Sequence, residues 1–339
     1  MGKIQRILII RFSAIGDIIL TTPLIRWIRQ GYPKADLDLL MKSEYASLFD
    51  NHPDVNQIIG WPNKGGLADL IALQKKIRRR RYDVLIDLQA SGRSRWLALS
   101  AGASRTVYYR PNRLKRLLLI YFRLNLFGSR DPVPIRYMKS VKGLEIRDDG
   151  AGAALFPADR VKKAVQSLMG SPGENRMVVL APGAAHATKQ WPLSYYAAVG
   201  RFLYSAGFSI VLIGGEKDRI VCGELSVTLN SKPVNLAGNL TLIESAALLK
   251  LSRLLVTNDT GVMHMAGAVG TPVIAIFGPT TGDLGFFPFR STSRVIENEQ
   301  LNCRPCSFHG TSRCPRKHFR CMKEILPDRV IQSIQSLVS

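Results

Sequence analysis

The chain predicts an α/β protein of two doubly wound, parallel-sheet domains, and three observations predict it. Short apolar runs of strand length alternate with amphipathic helical stretches along most of the sequence. A polar, glycine-containing stretch around residues 147–152 leads into Phe156-Pro157 and splits the alternation in two, giving an expected first domain over residues 1–150 and a second over 151–339. With 339 residues and 46% apolar content, the chain exceeds what one hydrophobic core serves and can fill two.

In the first half, strands are expected at Arg6–Phe12, Asp36–Met41, Gln57–Trp61, Tyr82–Leu88 and Thr106–Tyr109. Each is a brief run rich in leucine, β-branched or aromatic residues, with helical segments filling the gaps. In the second half the expected strands are Met177–Ala181, Ser209–Gly214, Val234–Leu236, Arg253–Asn258 and Pro272–Phe277. Helices are expected between them at Asp159–Leu168, Leu193–Ala206, Lys217–Leu229, Thr241–Lys250 and Gly261–Val269. Strands separated by helices pair in parallel. No short-period repeat or low-complexity segment interrupts the pattern.

The stretch Val256-Thr-Asn-Asp-Thr-Gly-Val-Met-His264, continuing to Phe277-Gly-Pro-Thr280, is the most informative. It ends one apolar strand in polar residues, starts a small-residue helix and enters a second strand. A helix beginning near Thr260-Gly261 presents backbone N–H groups and its positive dipole end at the carboxyl end of a buried strand, where open α/β sheets bind anions. Gly261 lets a ligand approach the backbone, and the Thr260 hydroxyl adds a donor.

Three further loops follow strands. After the first strand, Ser13-Ala-Ile-Gly-Asp17 turns through Gly16 and puts Asp17 in the first turn of a helix, where a carboxylate either faces a ligand or caps the helix. Pro182-Gly-Ala-Ala-His-Ala-Thr-Lys-Gln-Trp-Pro192 carries His186, Thr188 and Lys189, and a lysine there can neutralise a diphosphate or stand as an ordinary loop lysine. Gly214-Gly-Glu216 ends another strand with an acid that either bonds a ribose diol or favours the next helix's N-terminus. The dinucleotide fingerprint G-x-G-x-x-G is absent after the first strand, which argues against a dehydrogenase.

The net charge of +22 points to an anionic partner. Residues 1–150 hold 27 Lys/Arg against 13 Asp/Glu, and residues 105–147 hold eleven basic and two acidic residues. Such fields attract nucleic acid, acidic headgroups or phosphorylated substrates, while a solvated Arg-rich helix face accounts equally well for Lys75–Arg81. No nucleic-acid module is visible, so no nucleic-acid partner is expected. No run of about 18 apolar residues occurs, and Ile7–Ile10 is too short for a signal-peptide core, so a cytoplasmic location is expected. Five cysteines include Cys303, Cys306, Cys314 and Cys321 close together. A zinc knuckle and reduced surface thiols both fit that spacing.

In their order and spacing, these motifs resemble the bacterial lipopolysaccharide heptosyltransferases of glycosyltransferase family nine. The motifs that carry it are Ser13-Ala-Ile-Gly-Asp17 with Pro23, Pro182-Gly183 through Pro192, Gly214-Gly-Glu216, and Asn258-Asp-Thr-Gly-Val-Met-His264 through Thr280. The likeness runs from about Arg6 to Thr281 and is loose between Trp61 and Lys142. It implies a GT-B fold, with two Rossmann-like domains facing across a cleft. The first would take the acceptor and the second ADP-heptose, with neither metal nor further cofactor.

Residue by residue, the resemblance implies that Asp17 is a general base and that Lys189 and Thr188 lie by the donor diphosphate. Glu216 would bond the ribose. Thr260 and Gly261 would meet the diphosphate, Asp259 the sugar hydroxyls, and His264 would brace the loop. Gln89 and Arg93 become acceptor candidates, joined by Arg110 and Arg113. The implied acceptor is a lipid A-linked core oligosaccharide; a different glycan, a different donor sugar and the position of the added heptose all stay open. The segment Arg113-Leu-Lys-Arg-Leu-Leu-Leu-Ile-Tyr-Phe-Arg-Leu124 reads either as a helix resting peripherally on the inner face of an anionic membrane or as a core helix with basic ends.

Overall fold

The computed structural model describes residues 4–169 and 176–338. They form two compact units, the first comprising Met1–Asn112 with Val133–Phe156 and the second Arg113–Pro132 with Pro157–Ser339. Residues 113–132 therefore group with the second unit although they precede residue 150. Each unit is an α/β assembly around a parallel sheet.

The first sheet contains β1 (Arg6–Ile10), β2 (Asp36–Lys42), β3 (Gln57–Trp61), β4 (Val84–Asp87) and β5 (Arg105–Tyr108), in the order β3-β2-β1-β4-β5. Ile7, Leu8, Ile9 and Ile10 are all fully buried, as a central strand covered on both faces requires. From β1 the chain winds outward through β2 and β3, then returns to the other side of β1 for β4 and β5. The reversal lies between β1 and β4, where Ile10 pairs with Asp87. Ligands of open α/β sheets settle beyond such a point.

The helix Thr22–Gly31 starts with proline at its first turn and buries Leu24, Ile25, Trp27 and Ile28, one face of a 3.6-residue period. The same helix clamps the returning segment: Arg26 pairs with Asp149 at 2.5 Å, and Trp27 Nε1 donates to the same carboxylate at 2.9 Å. The Arg26 hydrogen bond is the main reason the Asp149 carboxyl is held far below the ordinary range.

His52 sits between Phe49 and Phe156, with ring centroids at 5.4 and 5.0 Å. The Asp54 N–H donates to its Nδ1, a contact that only the unprotonated nitrogen accepts. Burial, aided by the Arg26 charge, lowers its pKa from 6.5 to about 4. The unfolded chain therefore binds this proton more readily, so the contribution is full above pH 6.5 and is lost as pH falls toward 4. Acidification across that window should cost about 3 kcal/mol at this site. Urea unfolding between pH 7 and 5 should show a shallower pH slope for His52→Gln than for the unchanged protein, and equal slopes would remove the assignment.

The second sheet contains β6 (Met177–Ala181), β7 (Ser209–Leu212), β8 (Val234–Asn235), β9 (Leu254–Asn258), β10 (Val273–Phe277) and β11 (Ser293–Glu297), ordered β11-β10-β9-β6-β7-β8. All neighbours pair in parallel. Its reversal falls between β6 and β9. The expected strands and helices are present with ends shifted by a few residues, except that Lys217–Leu229 begins as a 3₁₀ turn at Glu216–Asp218 before the helix Arg219–Leu229. Strand β11 has no counterpart in the expected set. It is an edge strand in which only Ile296 is buried, so it lacks the apolar run that marks the other strands.

Candidate functional site

In the second unit, β9 ends at Asn258 and the helix Gly261–Val269 starts three residues later. Met263, His264, Met265, Ala266 and Ala268 are buried, and Gly270, at φ 86°, stops the helix in the left-handed region before Thr271-Pro272. His264 is thus a buried helix residue. The Thr260 hydroxyl lies 3.4 Å from that of Thr257.

Asn258 ties this turn to the loop after β6. Its Nδ2 donates to the Pro182 and Gly183 carbonyls at 2.8 and 3.3 Å, and its Oδ1 accepts from the Trp191 N–H at 3.1 Å. The same two loops meet through an ion pair: Lys189 Nζ lies 2.6 Å from Asp259 Oδ2 and 3.3 Å from the Asp259 carbonyl. Side-chain exposures of 14% and 8% place the pair out of bulk water. The Thr280 hydroxyl donates to the same carboxylate oxygen at 2.6 Å, and Arg304 fixes the Thr280 turn by donating to the Phe277, Gly278 and Thr280 carbonyls. Thr188 is buried; its hydroxyl donates to the Thr311 carbonyl and accepts from the Thr311 N–H.

Glu216 follows β7 at the opposite extreme of solvation. Its side chain is 74% exposed and pairs with Arg219 at 2.9 Å. Beside it, Asp218 packs so tightly under the loop after β6 that a Cβ at Gly183 would sit 2.1 Å from its Oδ1. Glycine at 183 is therefore a packing requirement. Asp218 was not among the expected site residues, because an acid two positions after another gives no sign of which one turns inward.

In the first unit, the loop after β1 carries Asp17 in a five-residue helix, Ile15–Ile19. No side-chain cap closes that helix at Ala14. Asp17 Oδ1 instead lies 2.7 Å from Arg11 Nη2 and accepts from the Tyr137 hydroxyl at 3.5 Å. Arg11 also donates to the Leu88 carbonyl at 2.7 Å, which joins the carboxyl ends of β1 and β4. Arg11 was legible only as the charge that ends the Ile7–Ile10 run, and a cation at a strand's carboxyl end is the signal that could have found it.

The remaining expected residues are distributed differently. Gln89 Oε1 accepts from the Phe12 and Ser13 N–H groups at 3.0 and 3.3 Å, so this side chain braces the Asp17 loop. Arg93 and Arg110 are exposed. Arg113 lies with the second unit rather than the first, at the start of the helix Arg113–Phe122, which buries Leu119 and Ile120. Residues 123–130 add further ties: Arg123 donates to the Pro305 carbonyl, and Asn125 and Arg130 reach Asp283 at 3.0 and 3.1 Å.

The cysteines carry no disulfide. Cys303 Sγ stands 3.8 Å from His318 Nε2, and burial pushes the Cys321 thiol up to about 12. Among the described residues, no group of three or more His, Cys, Asp and Glu is placed to hold a metal ion.

The chemistry available follows from these placements. The second sheet offers a desolvated ammonium and a helix N-terminus at its reversal, a combination suited to a diphosphate. The first offers a carboxylate at the equivalent position, oriented by an arginine.

The model of glycosyltransferase family 9 (heptosyltransferase) matches residues 70–317. Lipopolysaccharide heptosyltransferase 2 of Salmonella typhimurium is 28% identical, with 99% of this chain and 99% of that protein covered. The solved structure of the E. coli ADP-heptose LPS heptosyltransferase II gives a TM-score of 0.80 at 25% identity, covering 98% of each chain. A glycosyl transferase family 9 structure from Veillonella parvula gives 0.85 at 20% identity, covering 98% of this chain and 97% of its own, a likeness of fold.

Proposed function

Because the chain belongs to glycosyltransferase family 9, we propose that it moves heptose from ADP-heptose to the inner core of lipopolysaccharide, with inversion at the anomeric carbon. That it is a glycosyltransferase follows from the family, and its two parallel α/β sheets suit the GT-B design. The observation that carries the donor half is the Lys189–Asp259 pair at the start of the helix Gly261–Val269. As the glycosyl–diphosphate bond breaks, negative charge grows on ADP. A fixed ammonium and helix N–H groups stabilise charge where it develops, without requiring a metal ion.

In this reading Asp17 takes the proton from the acceptor hydroxyl as its oxygen attacks the anomeric carbon. Arg11 holds the carboxylate in place, and Gln89 fixes the backbone that carries it. Arg93 and Arg110, exposed and basic, meet acceptor carboxylates or phosphates. Asp259 orients Lys189, Thr260 and Gly261 contact the diphosphate, and Thr188 shapes the loop that carries the lysine. The enzyme works in the cytoplasm, with peripheral contact at the membrane that holds its lipid-linked acceptor.

The test is ADP release from ADP-heptose by the purified protein. Release should require a Kdo-containing lipid A or its heptosylated form, and the apparent acceptor KM should rise with ionic strength more than the donor KM does. Failure to bind ADP, or ADP binding with no transfer to any core acceptor, would overturn the reading.

Glu216 gives a separate expectation. Ribose contacts by an exposed acid exist in ground state and transition state alike, so Glu216→Ala should raise the donor KM about tenfold and leave kcat within about twofold. Its exposure predicts an unchanged melting temperature. A kcat defect at unchanged KM would remove Glu216 from the ribose.

A further inference from the structure

The helix Arg113–Phe122 has two opposed apolar faces, and only one is covered. Leu119 and Ile120 are buried. At about 100° per residue, Leu114, Leu117, Tyr121 and Phe122 fall within about 140° of arc on the other side. With Leu124 and Leu126 they are between 40% and 71% exposed. Soluble surfaces scatter such residues singly, and a contiguous group marks an interaction site.

Charge identifies the partner. On the helix, the apolar arc is bordered by Arg113 on one edge and Lys115 on the other, and Arg123 follows the last turn. No acidic residue occurs between Asp87 and Asp131. An apolar stripe edged by long cationic side chains matches an anionic bilayer: rings and leucines enter the acyl boundary while ammonium and guanidinium groups stay at the headgroups. A second copy of the chain would set like charges opposite one another across a two-fold contact.

We propose that residues 113–126 form a docking face for an anionic lipid bilayer. The face is anchored to the body of the second unit, because Arg123 bonds Pro305 and Asn125 bonds Asp283. No helix among the described residues is long and apolar enough to cross a membrane, so contact through this face is interfacial. The inference does not depend on the transfer reading, since lipid binding is measured without donor or acceptor.

The experiment is sedimentation of the full chain with phosphatidylglycerol-containing and pure phosphatidylcholine vesicles at low and high salt. Partition onto the anionic vesicles should exceed that onto neutral ones by about tenfold at low salt and shrink at high salt. Leu114→Ser combined with Tyr121→Ser and Phe122→Ser should lower anionic partition by about tenfold or more, at unchanged melting temperature. As a control, Ile220→Ser with Val227→Ser removes equally exposed apolar side chains from another helix and should leave partition unchanged. Equal binding to both vesicle types would overturn the proposal. So would unchanged binding of the triple variant, equal loss in the control, or a dimer in solution that the triple variant dissociates.

Discussion

Asp17→Asn should lower turnover by roughly 10²–10⁴-fold, the range for loss of a general base, while ADP-heptose binding stays within about twofold. Asparagine keeps the shape of the side chain and can still accept from Arg11 and Tyr137 through its carbonyl oxygen. It cannot take up a proton from an attacking hydroxyl. Both contacts of Asp17 fall on Oδ1, so Oδ2 is the atom we assign to that proton. Isothermal titration with ADP-heptose and single-turnover kinetics separate binding from chemistry. Turnover within threefold of the unchanged enzyme would reduce Asp17 to a structural partner of Arg11.

Lys189→Ala should fail in two ways at once. Transition-state charge on ADP loses its cation, for an expected drop in kcat of roughly 10²–10³-fold. In addition, Asp259, only 8% exposed, loses its counter-charge, and orphaning one member of a buried pair costs about 3–5 kcal/mol. Stability loss could by itself imitate a catalytic defect. Adding Asp259→Asn removes the orphaned anion while keeping an acceptor for the Thr280 hydroxyl, so the double variant should regain most of the lost melting temperature without regaining turnover. Recovery of both would assign Lys189 a purely structural task.

Strands covered on both faces were readable from sequence because burial on two sides demands uninterrupted apolar residues, as in Ile7–Ile10 and Val273–Phe277. Edge strand β11, with Ile296 alone buried, obeys no such demand and left no mark. Among the loops, Lys189, Asp259 and Thr260 stood out because polar residues ending apolar strands need a reason to be there. Their mutual arrangement did not stand out. That Lys189 pairs with Asp259, or that Gln89 serves the Asp17 loop rather than standing free, depends on loops 70 to 77 positions apart, and local periodicity holds no record of such distances. The membership of residues 113–132 in the second unit was equally hidden, since partners such as Asp283 lie more than 150 positions downstream of Arg130 and Asn125.

That membership constrains how such a protein can be recombined. Because residues 113–132 belong to the second unit while 133–156 belong to the first, the two units are not consecutive stretches of a gene. A chimera spliced once, at residue 150 or at Phe156-Pro157, would inherit Asp283 from one parent and its ligands Asn125 and Arg130 from the other. A graft of the second unit that keeps its own contacts must carry two fragments, 113–132 and everything after 156, so exchange of that unit between relatives by a single crossover is structurally disfavoured.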